Sequence, residues 1–293
     1  MNNTTPIQMD SNGIKYTLPS EIITSETGHA TLWRLYAVLN NYQNNAISLD
    51  CSNLCMIDGN MCALFILLTQ TLRLNNDLTF RLINCKSDHY DFFNRNGLMG
   101  HFHGIPNSYD NRKSVVVAKL FNPQLDTDNF CDYIDRELLT HRGLDKLPDA
   151  VKAWLKLGFE ETFANVAEHA NTNLLATCGQ LFPTKNQFHF TICDMGDGFY
   201  KKIEAFTKKN DILIKTISDA LTWSLSGNST REDKYFTEGG VALKRLITYC
   251  EQDTRCSFSL ITDNHNWQII NGKARCFRLP FTTKGTTIHL IFA

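Results

Sequence analysis

Residues 187–199 read QFHFTICDMGDGF and join a strand pattern directly to a glycine-rich turn. Phe188, Phe190 and Ile192 alternate with other residues, which is the period-two pattern of a strand with one face on a core. Asp194 therefore stands where the strand leaves the sheet, and Gly196 and Gly198 permit positive φ and close approach of a ligand. An ordinary turn explains such a stretch in most proteins, so its meaning depends on the rest of the chain.

Residues 147–170, LPDAVKAWLKLGFEETFANVAEHA, predict a long amphipathic helix that begins near Pro148 and Asp149. Its other face carries Glu161 and Asn165, which lie four residues apart and therefore one turn apart. One interpretation is a solvated polar face. The other is a Mg²⁺-nucleotide site, because an Asn165 amide oxygen suits the metal and a Glu161 carboxylate suits orienting or deprotonating a water.

Two later segments add glycines before a helix and a threonine before a strand. In YFTEGGVALKRLITYCE (235–251), Gly239 and Gly240 precede a helix pattern and leave backbone N–H groups free for phosphate oxygens, although a plain glycine loop is the alternative. The preceding polar residues predict an irregular lid within residues 199–238. In KGTTIHLIF (284–292), Thr286 enters a strand and its hydroxyl suits support of a base, directly or through a water.

Taken in this order, the motifs ExxxN, DxGxG, GG and GT in residues 112–293 resemble the GHKL superfamily of ATP-binding domains, nearest its anti-sigma-factor kinase branch. The resemblance implies a Bergerat-type α/β sandwich, which is a mixed sheet with helices on one face. It implies that Glu161 is the catalytic base and that Asn165 is the Mg²⁺ ligand. It assigns nucleotide contacts to Asn165, Asp194, Gly196, Gly198, Gly239, Gly240 and Thr286. The chain departs from the family at Ala242, where the second glycine box usually has another glycine.

The first hundred residues follow a different pattern, in which helices alternate with short strands. Helices are predicted in residues 30–41, after an N-cap at Asp58, and in 88–98; strands are predicted in 46–50 and 78–84. The stretch ISLDCSNLCMIDGNMCALFILL (47–68) resembles a STAS domain. That family has a serine or threonine after the aspartate, whereas Gly59 follows here, which argues against a phosphoserine switch. The predicted organisation is a STAS-like α/β layer domain over 1–103, a linker over 104–111 and a GHKL-like domain over 112–293.

Composition narrows the classes of partner. Lysine and arginine number 29 against 30 acidic residues, without a basic cluster, so no nucleic-acid partner is expected. The polar N-terminal residues do not form a secretory signal, and no apolar run is long enough to span a bilayer, so no membrane partner is expected. The ten cysteines are scattered without a zinc pattern and are typical of reduced cytoplasmic thiols.

Two functions follow from the resemblance. The first is a cytoplasmic signalling protein that binds ATP and Mg²⁺ and acts as a slow ATPase or as a protein kinase for serine or histidine. Its partner would be a regulator or a phosphoacceptor protein. The alternative is a catalytically silent module in which ATP controls association with a partner or with the STAS-like domain. The residues leave both functions open, along with the choice between a monomer and a homodimer.

Overall fold

The computed structural model describes residues 7–10, 13–228, 230 and 241–293. The protein contains both helices and sheets, so the α/β class expected from the sequence is confirmed at that level. Its contacts divide it into two compact units. The first comprises Met1–Leu120 with Ala176–Gln180, and the second comprises Phe121–Leu175 with Leu181–Ala293. The strands β7 (Val115–Phe121) and β8 (Leu175–Phe182) include residues of both units.

In its described residues, the first unit combines a mixed four-stranded sheet, a two-stranded sheet and four helices. Its strands are β1 (Ile7–Asp10), β2 (Gly13–Thr17), β3 (Glu21–Ile22), β4 (Ala46–Asp50), β5 (Met56–Ile57) and β6 (Thr79–Ile83). Its helices are α1 (Glu26–Leu39), α2 (Met61–Asn76), α3 (Ser87–Arg95) and α4 (Leu98–His103). Four strands lie in the order β1-β2-β4-β6. The β2–β4 and β4–β6 pairs are parallel, and β1–β2 is antiparallel.

The start of α2 differs from the sequence prediction. The prediction that Asp58 caps this helix is wrong, because the helix begins at Met61 after Asn60. The Asp58 carboxylate instead accepts hydrogen bonds from Thr24, from its backbone N–H at 2.7 Å and from its hydroxyl at 2.9 Å. Thr24 lies 34 residues earlier, so a tertiary contact replaces the local cap.

The second unit is a second α/β layer. Its helices are α5 (Thr127–Tyr133), α6 (Asp149–His169), α7 (Tyr200–Lys209), α8 (Ile217–Leu225) and α9 (Val241–Gln252), with a π-helical turn at Ile134–Leu138 and a 3₁₀ turn at Arg142–Leu144. Its strands include β9 (Gln187–Asp194), β10 (Ser257–Thr262), β11 (His265–Ile270), β12 (Lys273–Arg278) and β13 (Thr286–Phe292). Five of them lie in the order β12-β11-β10-β13-β9, and their four pairings are antiparallel.

Strand register defines the core of this unit. Ile192 of β9 pairs with Ile288 of β13, which pairs with Leu260 of β10, and all three side chains are buried. The helix α6 packs on the same side of the sheet, since the rings of Phe159 and Phe190 lie 5.0 Å apart. Period two in β9 and period 3.6 in α6 therefore bring one face of each element together. The end of β9 is placed beside the polar face of α6.

Residues 200–225 correct another prediction. This region was expected to be irregular, but it contains α7 and α8. The start of α8 has a capping box, in which the Thr216 hydroxyl accepts from the Asp219 N–H and the Asp219 carboxylate accepts from the Thr216 N–H. The two helices are short and lie in a polar stretch of sequence, so they have too few apolar repeats for periodicity to predict them. Within the described part of the chain, none of the helices has both the length and the apolar composition needed to cross a membrane.

Candidate functional site

A cavity in the second unit lies at the carboxyl end of β9. The space within it and in front of it that holds no protein atoms is about 1060 Å³, which includes open solvent. The helices α6, α7, α8 and α9 and the strands β9 and β13 contribute to its walls. Five residues singled out from the sequence line it: Glu161, Asn165, Asp194, Gly198 and Thr286. The structure therefore brings together residues that are separated by up to 125 positions in the chain.

Asp194 is the most buried acidic group of this cavity, with 5% of its surface exposed. Its Oδ1 accepts a hydrogen bond of 2.7 Å from the Gly196 N–H, and both the N–H and the hydroxyl of Thr286 donate to the carboxylate. Burial raises the pKa of Asp194 to about 7, and these hydrogen bonds partly oppose that rise. The carboxyl group is thus held in one orientation by donors from Gly196 and Thr286.

The backbone at position 285, directly before Thr286, requires a glycine. Its φ is +68°, and a Cβ at this position would overlap the backbone carbonyl of Asp194. The Thr262 hydroxyl donates to the Gly285 carbonyl oxygen at 3.0 Å and fixes the turn from the other side. Only a residue without a side chain fits here, and its fit is what brings the Thr286 donors to Asp194.

The loop after β9 is anchored at both ends. The Asp197 N–H donates to the Ala170 carbonyl oxygen at 2.9 Å, which ties the loop to the end of α6. The N–H groups of Phe199 and Tyr200 donate to Asp263 Oδ2 at 3.0 and 2.9 Å. Gly196 packs against Ala170 and is not among the residues that line the cavity, so it serves the loop rather than the cavity surface. Asp197 is exposed, as expected for a turn residue.

The polar face of α6 forms another wall of the cavity. Glu161 and Asn165 are half-buried, and both line the space that Asp194 reaches. The Thr162 hydroxyl, which also lines it, donates to the Gly158 carbonyl within the helix at 2.7 Å. The oxygen donors of Asn165 and Glu161 fit a hard divalent cation such as Mg²⁺. The described residues include no group of three or more His, Cys, Asp or Glu that could hold a metal. Such a cation would therefore also need oxygen atoms from a molecule bound in the cavity.

Sequence reasoning missed five polar residues of this cavity: Thr162, Lys202, Ser224, Asn228 and Thr230. Lys202 is the only lysine or arginine among the described lining residues. It lies four residues after Gly198, on the first turn of α7. From the sequence, this segment is predicted only as part of a polar lid. Its short spacing from Gly198 is the signal that could have identified it.

The second glycine box stays a prediction. Gly239 and Gly240 lie outside the described residues, as do residue 229 and residues 231–238 of the expected lid. The helix that the glycines were expected to open is present as α9, beginning at Val241. Its Ala242 is buried and its Leu243 lines the cavity.

Comparisons with known proteins add no family to these observations. No protein-family model matches the chain, and a search of curated proteins returns no significant match.

Proposed function

We propose that the second unit is a GHKL-type domain that binds ATP with Mg²⁺ and hydrolyses it or transfers its phosphoryl group to a protein. The observation that carries this proposal is the convergence of Glu161, Asn165, Asp194 and Thr286 on one cavity. The first unit, with its parallel β2-β4-β6 core, is proposed to be the STAS-like partner domain of the same signalling protein. This second assignment rests on analogy of fold.

The Asp194 end of the cavity is suited to a purine with an exocyclic amino group. A carboxylate can only accept hydrogen bonds, so its ionised form favours an amino donor such as that of adenine. Because Gly196 and Thr286 already donate to this carboxylate, its direction is fixed before a ligand arrives. The Thr286 hydroxyl also lines the cavity and can support the base next to the carboxylate.

The α6 end of the cavity is suited to the phosphates. Asn165 would hold Mg²⁺ through its amide oxygen together with phosphate oxygens, and the ion would neutralise phosphate charge when bound. Glu161 lies one turn away and would accept a proton from the attacking hydroxyl of a water or of a protein side chain. Lys202 adds a positive charge on the facing helix α7.

Calorimetry with ATP and ADP, with and without Mg²⁺, tests this assignment on the wild type and on Asp194→Asn. The substitution replaces an acceptor by an amide that presents an N–H₂ to existing donors. We expect binding to weaken by about 10- to 100-fold, which corresponds to about 1–3 kcal/mol for a mispaired buried polar group. Asp58→Asn in the first unit is the matched control and should bind like the wild type. Equal affinity of Asp194→Asn and wild type would overturn the site.

A catalytically silent, nucleotide-gated binding module is the second candidate, and Ala242 is the observation that favours it. This residue is buried at the first turn of α9, where the family usually has glycine, and its methyl group would narrow the region proposed to receive phosphates. Such a module binds ATP with the same dependence on Asp194 but releases no phosphate. Phosphate release and phosphotransfer assays on the wild type therefore separate the two candidates.

A further inference from the structure

The first unit contains two cysteines whose thiols interact, and neither of them lines the cavity of the second unit. Cys51 directly follows β4, and Cys85 lies two residues after β6. These two strands are parallel neighbours, with Asp50 opposite Ile83, and the Cys51 N–H donates to the Ile83 carbonyl at 2.9 Å. Adjacent strands are about 4.8 Å apart, so the two cysteines follow the sheet at neighbouring positions.

The two thiols are hydrogen-bonded to each other. The Cys51 thiol is fully buried, whereas Cys85 is half-buried and open to small molecules. The hydrogen bond from Cys51 lowers the pKa of Cys85, against the opposing effects of burial and of Asp50. The same hydrogen bond, followed by burial, raises the pKa of Cys51. The Cys85 sulfur, which is partly accessible, is thus the better nucleophile. The buried Cys51 sulfur can then react with it.

We propose that Cys51 and Cys85 form a reversible oxidation site that reacts with hydroperoxides. The Cys85 thiolate attacks the terminal peroxide oxygen and the O–O bond breaks. The other oxygen takes up the proton that Cys85 lost on ionising and leaves as an alcohol, or as water from hydrogen peroxide. Cys85 is then a sulfenic acid. The Cys51 sulfur attacks the Cys85 sulfur, the S–O bond breaks, and the hydroxide takes the Cys51 proton and leaves as water. Two thiols are oxidised to one disulfide and one peroxide is reduced, and a dithiol reductant reverses the change.

Other cysteines of the first unit provide contrasts for this pair. Cys55 is exposed, and the Lys86 ammonium lies 3.8 Å from its sulfur, so it is accessible to peroxide. Cys62 is fully buried and accepts a hydrogen bond from the Asn96 amide at 3.1 Å. Reaction driven by exposure alone would select Cys55, whereas the proposed pair selects Cys85 with Cys51.

Peptide mapping of the full chain tests the pair after treatment with hydrogen peroxide. Trypsin releases Cys85 in the peptide LINCK (82–86), while Cys51, Cys55 and Cys62 share the peptide of residues 35–73. We expect a disulfide between these two peptides in the wild type and in Cys55→Ser, lost in Cys51→Ser and reversed by dithiothreitol. In Cys51→Ser, dimedone should trap Cys85 as a sulfenic acid.

Three outcomes would overturn the proposal, and none depends on the folding of a Cys51 variant. In the first, peroxide produces no disulfide between the two peptides of the wild type. In the second, this disulfide is absent from Cys55→Ser. In the third, Cys85 of the wild type accumulates as a dimedone adduct and no disulfide forms. ATP binding is not involved in any of these measurements.

Discussion

The two units each contain a buried aspartate at the end of a strand with a glycine close behind it. Asp58 follows β5 and precedes Gly59, while Asp194 ends β9 and precedes Gly196 by two residues. The two side chains are exposed by only 3% and 5%. Asp58 uses one oxygen for both donors of Thr24, whereas Asp194 is held by Gly196 and Thr286 at the edge of a cavity.

The comparison shows that burial and sequence pattern do not by themselves make a binding site. The Asp58 carboxylate joins two loops of the first unit through its hydrogen bonds with Thr24. The Asp194 turn has a similar local pattern, but α6 and α7 add Glu161, Asn165 and Lys202 to the cavity beside it. If this difference holds, substitutions around Asp194 affect nucleotide chemistry and substitutions around Asp58 do not.

The largest effect is expected for Glu161→Ala, if the site turns ATP over. Loss of a general base should lower phosphate release or phosphotransfer by about 10²–10⁴-fold, while calorimetry should show nearly unchanged nucleotide binding. Glu160→Ala is the control, because Glu160 lies beside it, contacts Lys156 at 3.7 Å and does not line the cavity. Equal loss in both variants would remove the special role of Glu161.

The second prediction compares the glycines of the two turns. A Cβ at Gly196 would overlap the backbone oxygen and Cβ of Ala170, whereas one at Gly59 would meet the side-chain oxygen of Gln180 at 2.9 Å and a ring carbon of Phe92 at 3.0 Å. We expect Gly196→Ala to cost about 2–3 kcal/mol of stability and Gly59→Ala about 1 kcal/mol or less. Differential scanning calorimetry should show a larger fall in melting temperature for Gly196→Ala; the reverse order would contradict the tight loop.

The third prediction concerns pH, because burial raises the pKa of Asp194 to about 7. The folded protein then binds more protons than the unfolded chain between about pH 4 and 7, so this group's stability contribution is present at low pH and is lost as the pH rises. Without nucleotide, the free energy of unfolding of the wild type relative to Asp194→Asn should fall by about 1 kcal/mol per pH unit from pH 5 to 7. Denaturant titrations at each pH measure it, and a constant difference would refute it.

The smallest effect is expected for Lys202→Met. Removing one exposed charge near the proposed phosphate site should weaken ATP binding by about 3- to 10-fold and leave adenosine binding unchanged. Lys201→Met is the matched control, since it changes net charge equally but does not line the cavity. Calorimetry on both variants distinguishes a local contact from a general charge effect, and equal losses would assign the effect to net charge.

The sequence predicted the parts that depend on local periodicity. The start of α6 at Asp149, the strand that ends at Asp194 and the position of Thr286 at a strand entry follow from period and turn chemistry. The partner of Asp58 could not be predicted, because Thr24 reaches it through folding of a segment 34 residues away. Lys202 was missed for a related reason. A lysine on a short helix can be assigned to the cavity only when the position of that helix in the folded unit is known.

The position of β13 in its sheet has a consequence for how the protein is made. In the sheet, β13 separates β9 from β10, although it is synthesised after both. During translation β9 and β10 therefore emerge without the strand that joins them, and Asp194 lacks its Thr286 donors until the last of the three appears. The second unit acquires its pocket only after such long-range pairing, which makes it slower to fold than its helices alone would suggest.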